Sequence, residues 1–445
     1  MHPRGVCNLE GLCDEDLSPE ARRRFAEHLL AGCPACRARL QPTVFPSPAA
    51  DTAYDSSWER AVAAVLPVAA RLAEENGRKE EGIALVRAKS LDRLRPSDRD
   101  VFRGRWAEIE LLLDLSFEER FRAPATMLKL ALRADRAAAR FSPGDHFPMA
   151  LLFDLRARAA AELANAERVN EHFLLAGEAV AKARALLAQG TGDLMVQARV
   201  NDVEASLLRD QRHLDKAEVL LNRAYRAYMR VGELHKAGQI LSNKGYARRL
   251  ADKPLEAAAL LRRAISLLDP AKDSQALAAA RHTLIDCLVD AGQFREANET
   301  FLKSGLRLAF ADDPLNLLRV DWIEGKIYCG RKRFEDAARV LTKVRDGFRA
   351  RGLEYVAAIA AVDLAKVYLQ AGKMGDLKAL AQELYERSQD QRLHRPVQEA
   401  LHCFELLCRM GVATVVYAQR VKAFIEEAEH RPGLAFQLDI IVKPA

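Results

Sequence analysis

Small and apolar positions return along the chain at a fixed interval of forty residues. Each copy has a small or apolar residue and a second one twelve positions later; the five copies are Ala205/Ala217, Gly245/Ala257, Ile285/Ala297, Gly325/Ala337 and Ala365/Leu377. A bulky or apolar residue stands four positions after each second member, namely Leu221, Leu261, Phe301, Leu341 and Ala381. A fixed period of this size indicates stacked repeats of one supersecondary unit.

The twelve-residue spacing predicts two helices joined by a tight turn, because it is too long for a single contact on one helical face. Turn signals lie between the two members of each copy, among them Asp252-Lys253-Pro254, Gly292-Gln293 and Gly372-Lys373. The small residue of the first helix lets the second helix come close. We therefore predict an all-α chain of antiparallel helix pairs.

The small, alanine and aromatic positions of these copies, as in Phe294-Arg295-Glu296-Ala297 and Phe334-Glu335-Asp336-Ala337, resemble the tetratricopeptide repeat (TPR) family. The chain departs from that family in its longer period, since the standard repeat has thirty-four residues. It also lacks the tryptophan of the first helix, and its last copy is weak. The resemblance implies a right-handed α-solenoid whose concave groove is lined mainly by the first helix of each pair.

The remaining sequence divides around the repeats. We predict a small helical unit over residues 1–40, a Pro-, Ser- and Asp-rich linker over 41–57, atypical helical pairs or an N-terminal cap over 58–150, TPR-like repeats over 151–392, capping helices over 393–432 and a tail over 433–445. Within the cap region, helices are expected over 58–76, 80–93, 98–113 and 125–141. The repeat register returns faintly at Gly177, forty residues before Ala217, on a helix over 171–189 paired with one over 151–168.

Charge, hydropathy and the absence of catalytic motifs limit the classes of function that the sequence favours. The net charge of +6 is small beside 68 basic and 62 acidic residues, which are interspersed, so direct nucleic-acid binding is not favoured. No apolar run is long enough for a membrane span, and no signal-peptide core is present, which predicts a cytoplasmic protein. We find no nucleophile with a nearby base, no phosphate loop and no HExxH helix, and predict that the chain is not an enzyme.

Four of the eight cysteines lie in the first thirty-six residues, close to a histidine. His28 stands in the last turn of a predicted helix, and Cys33 and Cys36 begin the next one. An imidazole and two thiolates at such a junction suit structural, tetrahedral zinc. Cys7 is the best candidate for the fourth ligand, with Cys13 and His2 as alternates. A redox role or unliganded side chains are the competing interpretations, and Cys287, Cys329, Cys403 and Cys408 are expected to be core residues.

The same segment resembles the zinc-binding anti-sigma domain of bacterial regulators. The matching residues are Leu17-Ser18-Pro19-Glu20, His28-Leu29 and Gly32-Cys33-Pro34-Ala35-Cys36. It departs from that domain in having four residues between His28 and Cys33 instead of three, and in a shortened first helix. The resemblance implies that the unit binds a sigma factor.

The TPR resemblance also places three rows of side chains in the groove. The rows are Arg199, Gln239, Ala279, Arg319 and Ile359; Asp202, Ser242, His282, Trp322 and Val362; and Ser206, Tyr246, Asp286, Lys326 and Lys366, with Arg209 and Arg249 beyond. The partner contacts that we predict from them are Arg199, Asp202, Arg209, Gln239, Ser242, Tyr246, Arg249, His282, Asp286, Arg319, Trp322, Lys326 and Lys366. Such a mixture suits a peptide or helix of acidic or mixed character, with Tyr246 and Trp322 as anchors. The alternative for Trp322 is packing between neighbouring repeats.

Two functions agree with these patterns. One is a cytosolic regulatory or scaffold protein that binds proteins through its groove and a sigma factor through its zinc unit. The other is an adaptor or sensor subunit of a multiprotein assembly, for example one controlling a neighbouring effector enzyme, in which zinc is only structural.

Overall fold

The computed structural model describes residues 48–142, 144, 147–390, 393–428, 434 and 436. Every regular element in these ranges is a helix, which confirms the predicted all-α class. The α-helices are α1 (Pro48–Lys89), α2 (Pro96–Arg99), α3 (Trp106–Glu118), α4 (Pro124–Arg140), α5 (Met149–Val169), α6 (Phe173–Leu187), α7 (Leu194–Asp210), α8 (Leu214–Arg230), α9 (Leu234–Leu250), α10 (Pro254–Leu267), α11 (Ser274–Asp290), α12 (Phe294–Lys303), α13 (Leu306–Ala309), α14 (Pro314–Gly330), α15 (Phe334–Arg349), α16 (Glu354–Ala371), α17 (Met374–Asp390), α18 (Arg395–Met410) and α19 (Val415–Ala428). Short 3-10 helices follow at Leu91–Arg93 and Glu119–Phe121. None of these helices is both long and apolar enough to cross a bilayer.

The described residues fall into two compact units. The smaller unit holds those up to 108 together with 144 and 147, and the larger one holds 109–142 and those from 148 onward. In the smaller unit, Glu75 of α1 accepts a hydrogen bond from the backbone N–H of Ala107 at 2.8 Å. The rings of Trp106 and Phe147 lie 4.9 Å apart. The hydrogen bond joins α1 to the start of α3, and the ring contact joins that start to the segment before α5.

Helix α1 differs from the linker and two helices predicted for this part of the sequence. It runs without interruption from Pro48 to Lys89, so residues 48–57 of the predicted linker are helical and the gap expected after residue 76 is absent. Proline suits the first helical position because its missing N–H has no intrahelical partner there. The ion pair between Glu74 and Arg78, at 2.6 Å, supports the helix across Gly77. The predicted unit over 1–40 lies outside the described residues.

In the larger unit, the forty-residue period appears in the helix boundaries themselves. The first helices of five pairs, α7, α9, α11, α14 and α16, begin at residues 194, 234, 274, 314 and 354. The second helices, α8, α10, α12, α15 and α17, begin at residues 214, 254, 294, 334 and 374. All ten positions that define the repeat in the sequence are buried. The predicted right-handed, TPR-like α-solenoid of antiparallel helix pairs is confirmed.

Two glycines show why the first member of a copy is small. A methyl group on Gly325 would lie 2.7 Å from Cδ2 of Leu341, and one on Gly245 would lie 2.7 Å from Cγ of Leu261. Both leucines are fully buried, so neither can move aside without disturbing the packed core. The small residue therefore allows the close approach of the two helices in a pair.

The pair formed by α5 and α6 also follows the repeat, but one residue away from the predicted register. Ala176 is fully buried and corresponds to Ala217 of the next pair, whereas the prediction assigned this position to Gly177. Glu171 likewise has the left-handed φ (63°) that Arg212 has (64°) in that pair. Helix α7 begins 21 residues after the start of α6, whereas α9 begins 20 residues after the start of α8, since 194 − 173 = 21 and 234 − 214 = 20. This extra residue accounts for the shift.

The turn inside each of the five pairs has one geometry. The N–H just before the second helix bonds to the carbonyl five residues earlier, as His213 does to Leu208 (2.8 Å) and Arg333 to Tyr328 (2.9 Å). The residue before that N–H has a left-handed φ in every copy: Arg212, Asp252, Gly292, Lys332 and Gly372. This combination is the Schellman ending of a helix, which satisfies its last carbonyl groups.

The left-handed turn position predicts a stabilising substitution. We expect Lys332→Gly to raise the free energy of unfolding by about 0.5–1 kcal/mol, because φ is 61° there and left-handed backbone is costly for residues with a Cβ. Urea denaturation followed by circular dichroism measures the change. The matched control is Arg331→Gly, one residue earlier with φ −89°, which should lower stability instead. A less stable Lys332→Gly would contradict the prediction.

The C-terminal end of the solenoid departs from the order of the repeats. Residues 393–432 were predicted as capping helices, and α18 and α19 lie there. Helix α19 packs back on the first helix α16: Val421 and Ile425 belong to the same buried cluster as Val362. The ring of Phe436, in the predicted tail, lies 4.8 Å from that of Phe424. The last helix therefore covers the inner side of the final repeat.

Candidate functional site

The predicted partner-binding residues share one face of the first helices. On that face, neighbouring first helices are joined by side-chain hydrogen bonds between residues forty or forty-one positions apart. These bonds run from Asn243 Nδ2 to Asp202 Oδ1 (2.8 Å), from Arg249 Nε to Asp290 Oδ2 (2.7 Å), from Trp322 Nε1 to Asp363 Oδ2 (2.9 Å) and from Lys326 to Asp286. We call this face, carried by α5, α7, α9, α11, α14 and α16, the inner surface.

One ion pair indicates that the inner surface is concave. Arg120, just after α3, donates a hydrogen bond to Asp273 at the start of α11. Counting α3 and α4 as the first pair, these residues lie four steps apart in the stack. A straight stack would separate them by roughly 30–40 Å, at about 8–10 Å a step. Because an arginine side chain spans much less than that, the stack must curve with its first helices inside.

At the front of the inner surface the polar groups are already paired. Arg199 of α7 bonds both carboxylate oxygens of Glu162 on α5, at 2.6 and 2.9 Å, and also Asp202 at 2.9 Å. Gln239 of α9 donates to Asp273 at 3.2 Å. Three of the predicted contacts, Arg199, Asp202 and Gln239, are therefore engaged by the chain itself.

The centre of the inner surface brings together six predicted residues from three helices. They are Tyr246 and Arg249 of α9, His282 and Asp286 of α11, and Arg319 and Lys326 of α14. Asp286 forms ion pairs with Lys326 and, at 3.4 Å, with Arg249. Burial by itself would raise the pKa of Asp286, but these two cations more than offset it and hold the pKa well below its usual range. Burial lowers the pKa of His282 and so favours its neutral form.

Two of the central side chains remain open to a partner. Tyr246 is 37% exposed, with the guanidinium of Arg209 5.1 Å from its ring centroid. Arg319 is exposed and donates to Asn316 of its own helix at 2.9 Å; no carboxylate of the described residues lies within ion-pair distance of it. Burial nevertheless lowers the pKa of Arg319, although Asp313 acts in the opposite direction. Arg319 is thus accessible to solvent although other parts of the chain lie around it. A side chain at the bottom of a groove has both properties.

At the rear, one buried carboxylate joins three partners. Asp363 is 3% exposed and accepts hydrogen bonds from Trp322 Nε1 (2.9 Å), Lys366 Nζ (3.2 Å) and Lys422 Nζ (2.7 Å). Trp322 is half-buried and meets the ring of Phe348 edge-on at 5.7 Å. Trp322 thus packs between neighbouring pairs, which was the alternative to a groove anchor.

The remaining row positions have mixed outcomes. Ile359 and Val362 are 5% and 0% exposed, because α19 covers this part of α16, so their predicted place in the groove is wrong. Arg209 is 9% exposed and pairs with Asp210 at 2.7 Å. Ser242 is half-buried on α9. The inner surface therefore offers open side chains at its centre and covered ones at its rear.

Several charged residues of the inner surface were not predicted. Asp290 and Asp363 stand forty-one positions after their partners Arg249 and Trp322, so a search for hydrogen-bonding residues one period away could have found them. Arg120 and Lys422 belong to segments outside the five copies, and nothing in the period indicates them.

The predicted metal site is not part of the described structure. His28, Cys33, Cys36, Cys7 and the alternates Cys13 and His2 all lie outside the described residues, so this zinc site stays a prediction. Within the described ranges, no three His, Cys, Asp or Glu side chains are grouped to hold a metal ion. Cys287 and Cys408 are fully buried, and burial raises the pKa of each thiol to about 12. Both are core residues, as predicted, whereas Cys329 and Cys403, predicted alike, are only half-buried.

Comparison with known proteins bears on the fold alone. No protein family and no curated protein matches the sequence. Among solved structures, a Rap protein complexed with competence and sporulation factor is similar to this chain, with a TM-score of 0.54 and 8% sequence identity. The similarity covers 73% of this chain and 87% of that one. At so low an identity, the similarity supports the helical-repeat architecture only. A function for this chain has to be argued from its own side chains.

Proposed function

We propose that this chain is a non-enzymatic regulatory or scaffold protein that binds a protein partner along its inner surface. The observation that carries the proposal is the pair of open side chains Tyr246 and Arg319, on a face whose other charges are largely paired. Tyrosine and arginine are the side chains that most often dominate binding energy at interfaces. A carboxylate of the partner would form an ion pair with Arg319, so a peptide or helix of acidic or mixed character fits best.

The architecture supports the same reading. Stacked helix pairs present an extended concave surface, which such proteins use to hold other chains. Asp286 and its cations contribute fixed charges that are held in place by burial and ion pairing. Fixed charges favour one partner over others chiefly by repelling the wrong ones.

The partner itself distinguishes two forms of this function. In the first, the N-terminal unit holds zinc through His28, Cys33, Cys36 and Cys7 and binds a sigma factor. In the second, the chain is an adaptor or sensor subunit of a larger assembly, and the zinc only stabilises the small unit. The inner surface fits both forms.

Capture from extracts of the native host tests the proposal. We expect the Tyr246→Ala/Arg319→Glu double variant to lose at least about tenfold of a partner that the unchanged chain retains, as for two hot-spot residues. The control is Arg295→Glu, a 94% exposed arginine on the second helix α12, which should retain the partner. If no captured protein depends on Tyr246 and Arg319, the proposal is wrong.

The same capture separates the two forms. Retention of a sigma factor that is lost when Cys33→Ser and Cys36→Ser are combined supports the first form. Retention of another protein, lost with the inner-surface variant but unaffected by the cysteine changes, supports the second.

A further inference from the structure

A short segment of the chain itself contacts the front of the inner surface, through Arg120 and Phe117. We define the strap as residues 117–121, which are the last two residues of α3 and the 3-10 helix after it. Its Arg120 reaches Asp273 on α11 across the concave side. The same oxygen of Asp273 accepts the hydrogen bond from Gln239, a predicted partner contact. The strap and a partner therefore require the same polar groups.

Arg120 is held in place for this contact by the strap's own residues. Its guanidinium carbon lies 3.8 Å from the ring centroid of Phe117 and 4.3 Å from that of Phe121, and its Nη1 donates to the carbonyl of Phe117 at 2.7 Å. The side chains of Arg120 and Asp273 are each 13% exposed, so little water competes for the ion pair. Arg199 also faces the ring of Phe117, at 5.2 Å.

The strap nevertheless lacks the buried apolar contacts that hold a core element. None of its residues is buried, and Phe121 is 45% exposed. The preceding turns of α3 are different, since Leu111, Leu112 and Leu113 are at most 3% exposed. Segments with few buried contacts open at a lower free energy than the core. The strap can thus detach while the buried turns of α3 that precede it stay folded.

We propose that the strap is an autoinhibitory gate over the front of the inner surface. When it is closed, Arg120 occupies the carboxylate oxygen of Asp273 that also accepts the hydrogen bond from Gln239. When it opens, Asp273 is left without its cation and accepts a basic side chain of the partner, while Arg319 binds a carboxylate at the centre. The selected partner is therefore a segment of mixed charge. This inference rests on the proposed function of the inner surface.

Cysteine labelling of the full chain tests the gate without knowledge of the partner. Gln239→Cys places a thiol beside the Asp273 carboxylate that Arg120 holds, and Tyr246→Cys places one at the open centre. The rate of alkylation of each by N-ethylmaleimide is followed by peptide mass spectrometry, which separates these sites from the native cysteines. Adding Arg120→Gln should raise the rate at position 239 about tenfold, the effect of losing one charge-assisted hydrogen bond. The rate at position 246 should change less than about twofold, because no opening precedes reaction there.

Asp273→Asn supplies the second variant. Asp273 also caps α11 by accepting a hydrogen bond from the N–H of Ala276 at 2.9 Å, and asparagine retains that role. The Asp273→Asn variant should raise the alkylation rate at position 239 as Arg120→Gln does. Unchanged labelling there in both variants would overturn the gate, and so would an equal rise at position 246, which indicates general loosening. Labelling needs no partner, so a failed capture experiment and a failed gate are distinguishable.

Discussion

Replacing Asp363 with alanine is expected to lower the free energy of unfolding by about 3–5 kcal/mol, as for a buried ion pair that loses one partner. The carboxylate is 3% exposed and joins Lys366 of its own helix, Lys422 of α19 and the indole of Trp322. Its loss leaves two lysines, 20% and 16% exposed, without their counter-charge. Because Lys422 lies on the last helix, the change should also loosen α19 from α16.

Urea denaturation followed by circular dichroism measures this effect, and hydrogen exchange of α19 locates it. The matched control is Asp346→Ala, in helix α15, where the carboxylate is 53% exposed and pairs with the neighbouring Arg345. We expect a change within about 0.5 kcal/mol there. If the two variants differ by less than about 1 kcal/mol, the ion pairs of Asp363 do not stabilise the C-terminal end.

The stability of the larger unit should fall as the pH drops below about 5, because of Asp286 and Asp363. Burial by itself would raise the pKa of each, but Arg249 and Lys326 hold the pKa of Asp286 well below its usual range, as Lys422 and Lys366 do for Asp363. In the unfolded chain both titrate near about 3.9. The unfolded state therefore takes up protons first, and the stability present above that pKa is lost as the pH falls further. Each pKa unit by which the folded and unfolded states differ contributes about 1.4 kcal/mol to the free energy of unfolding.

Urea midpoints measured from pH 7 to pH 3 check this dependence. The combined Asp286→Asn/Asp363→Asn variant should show a shallower loss of stability in acid than the unchanged chain, whatever its stability at neutral pH. Asp346→Asn should keep the original slope. Equal slopes for all three chains would mean that other carboxylates govern the acid response.

The proposed binding function requires open side chains on the inner surface, whereas the proposed gate covers part of the same surface. A binding surface needs open side chains, and Tyr246 and Arg319 supply them at the centre. The front and the rear are occupied by the chain's own segments, through Arg120 and Lys422. A partner that extends beyond the centre must therefore replace an internal contact, which makes binding dependent on the strap.

Repeat architecture explains how much of the fold was predictable. Each pair buries its small residue against its own second helix and ends its first helix in the same turn, so the information is local and repeats with the sequence. Gly325 against Leu341 and the left-handed Lys332 are examples. The cap region was predicted less well, because α1 has no repeat to reveal its bounds and its local signals at residues 76–80 favoured a gap.

The periodic pattern along the chain was enough to predict the five helix pairs, their register and the buried positions between them, and the resemblance to TPR proteins indicated the face on which the polar rows lie. Tertiary structure decided which of those polar residues stay open. Arg120 meets Asp273 across 153 positions, and Lys422 meets Asp363 across 59. Such pairs depend on the curvature of the stack and on the path of its end helices. Neither property is encoded in the contacts of a single repeat, so the sequence pattern could not show that the front is gated, the rear covered and the centre open.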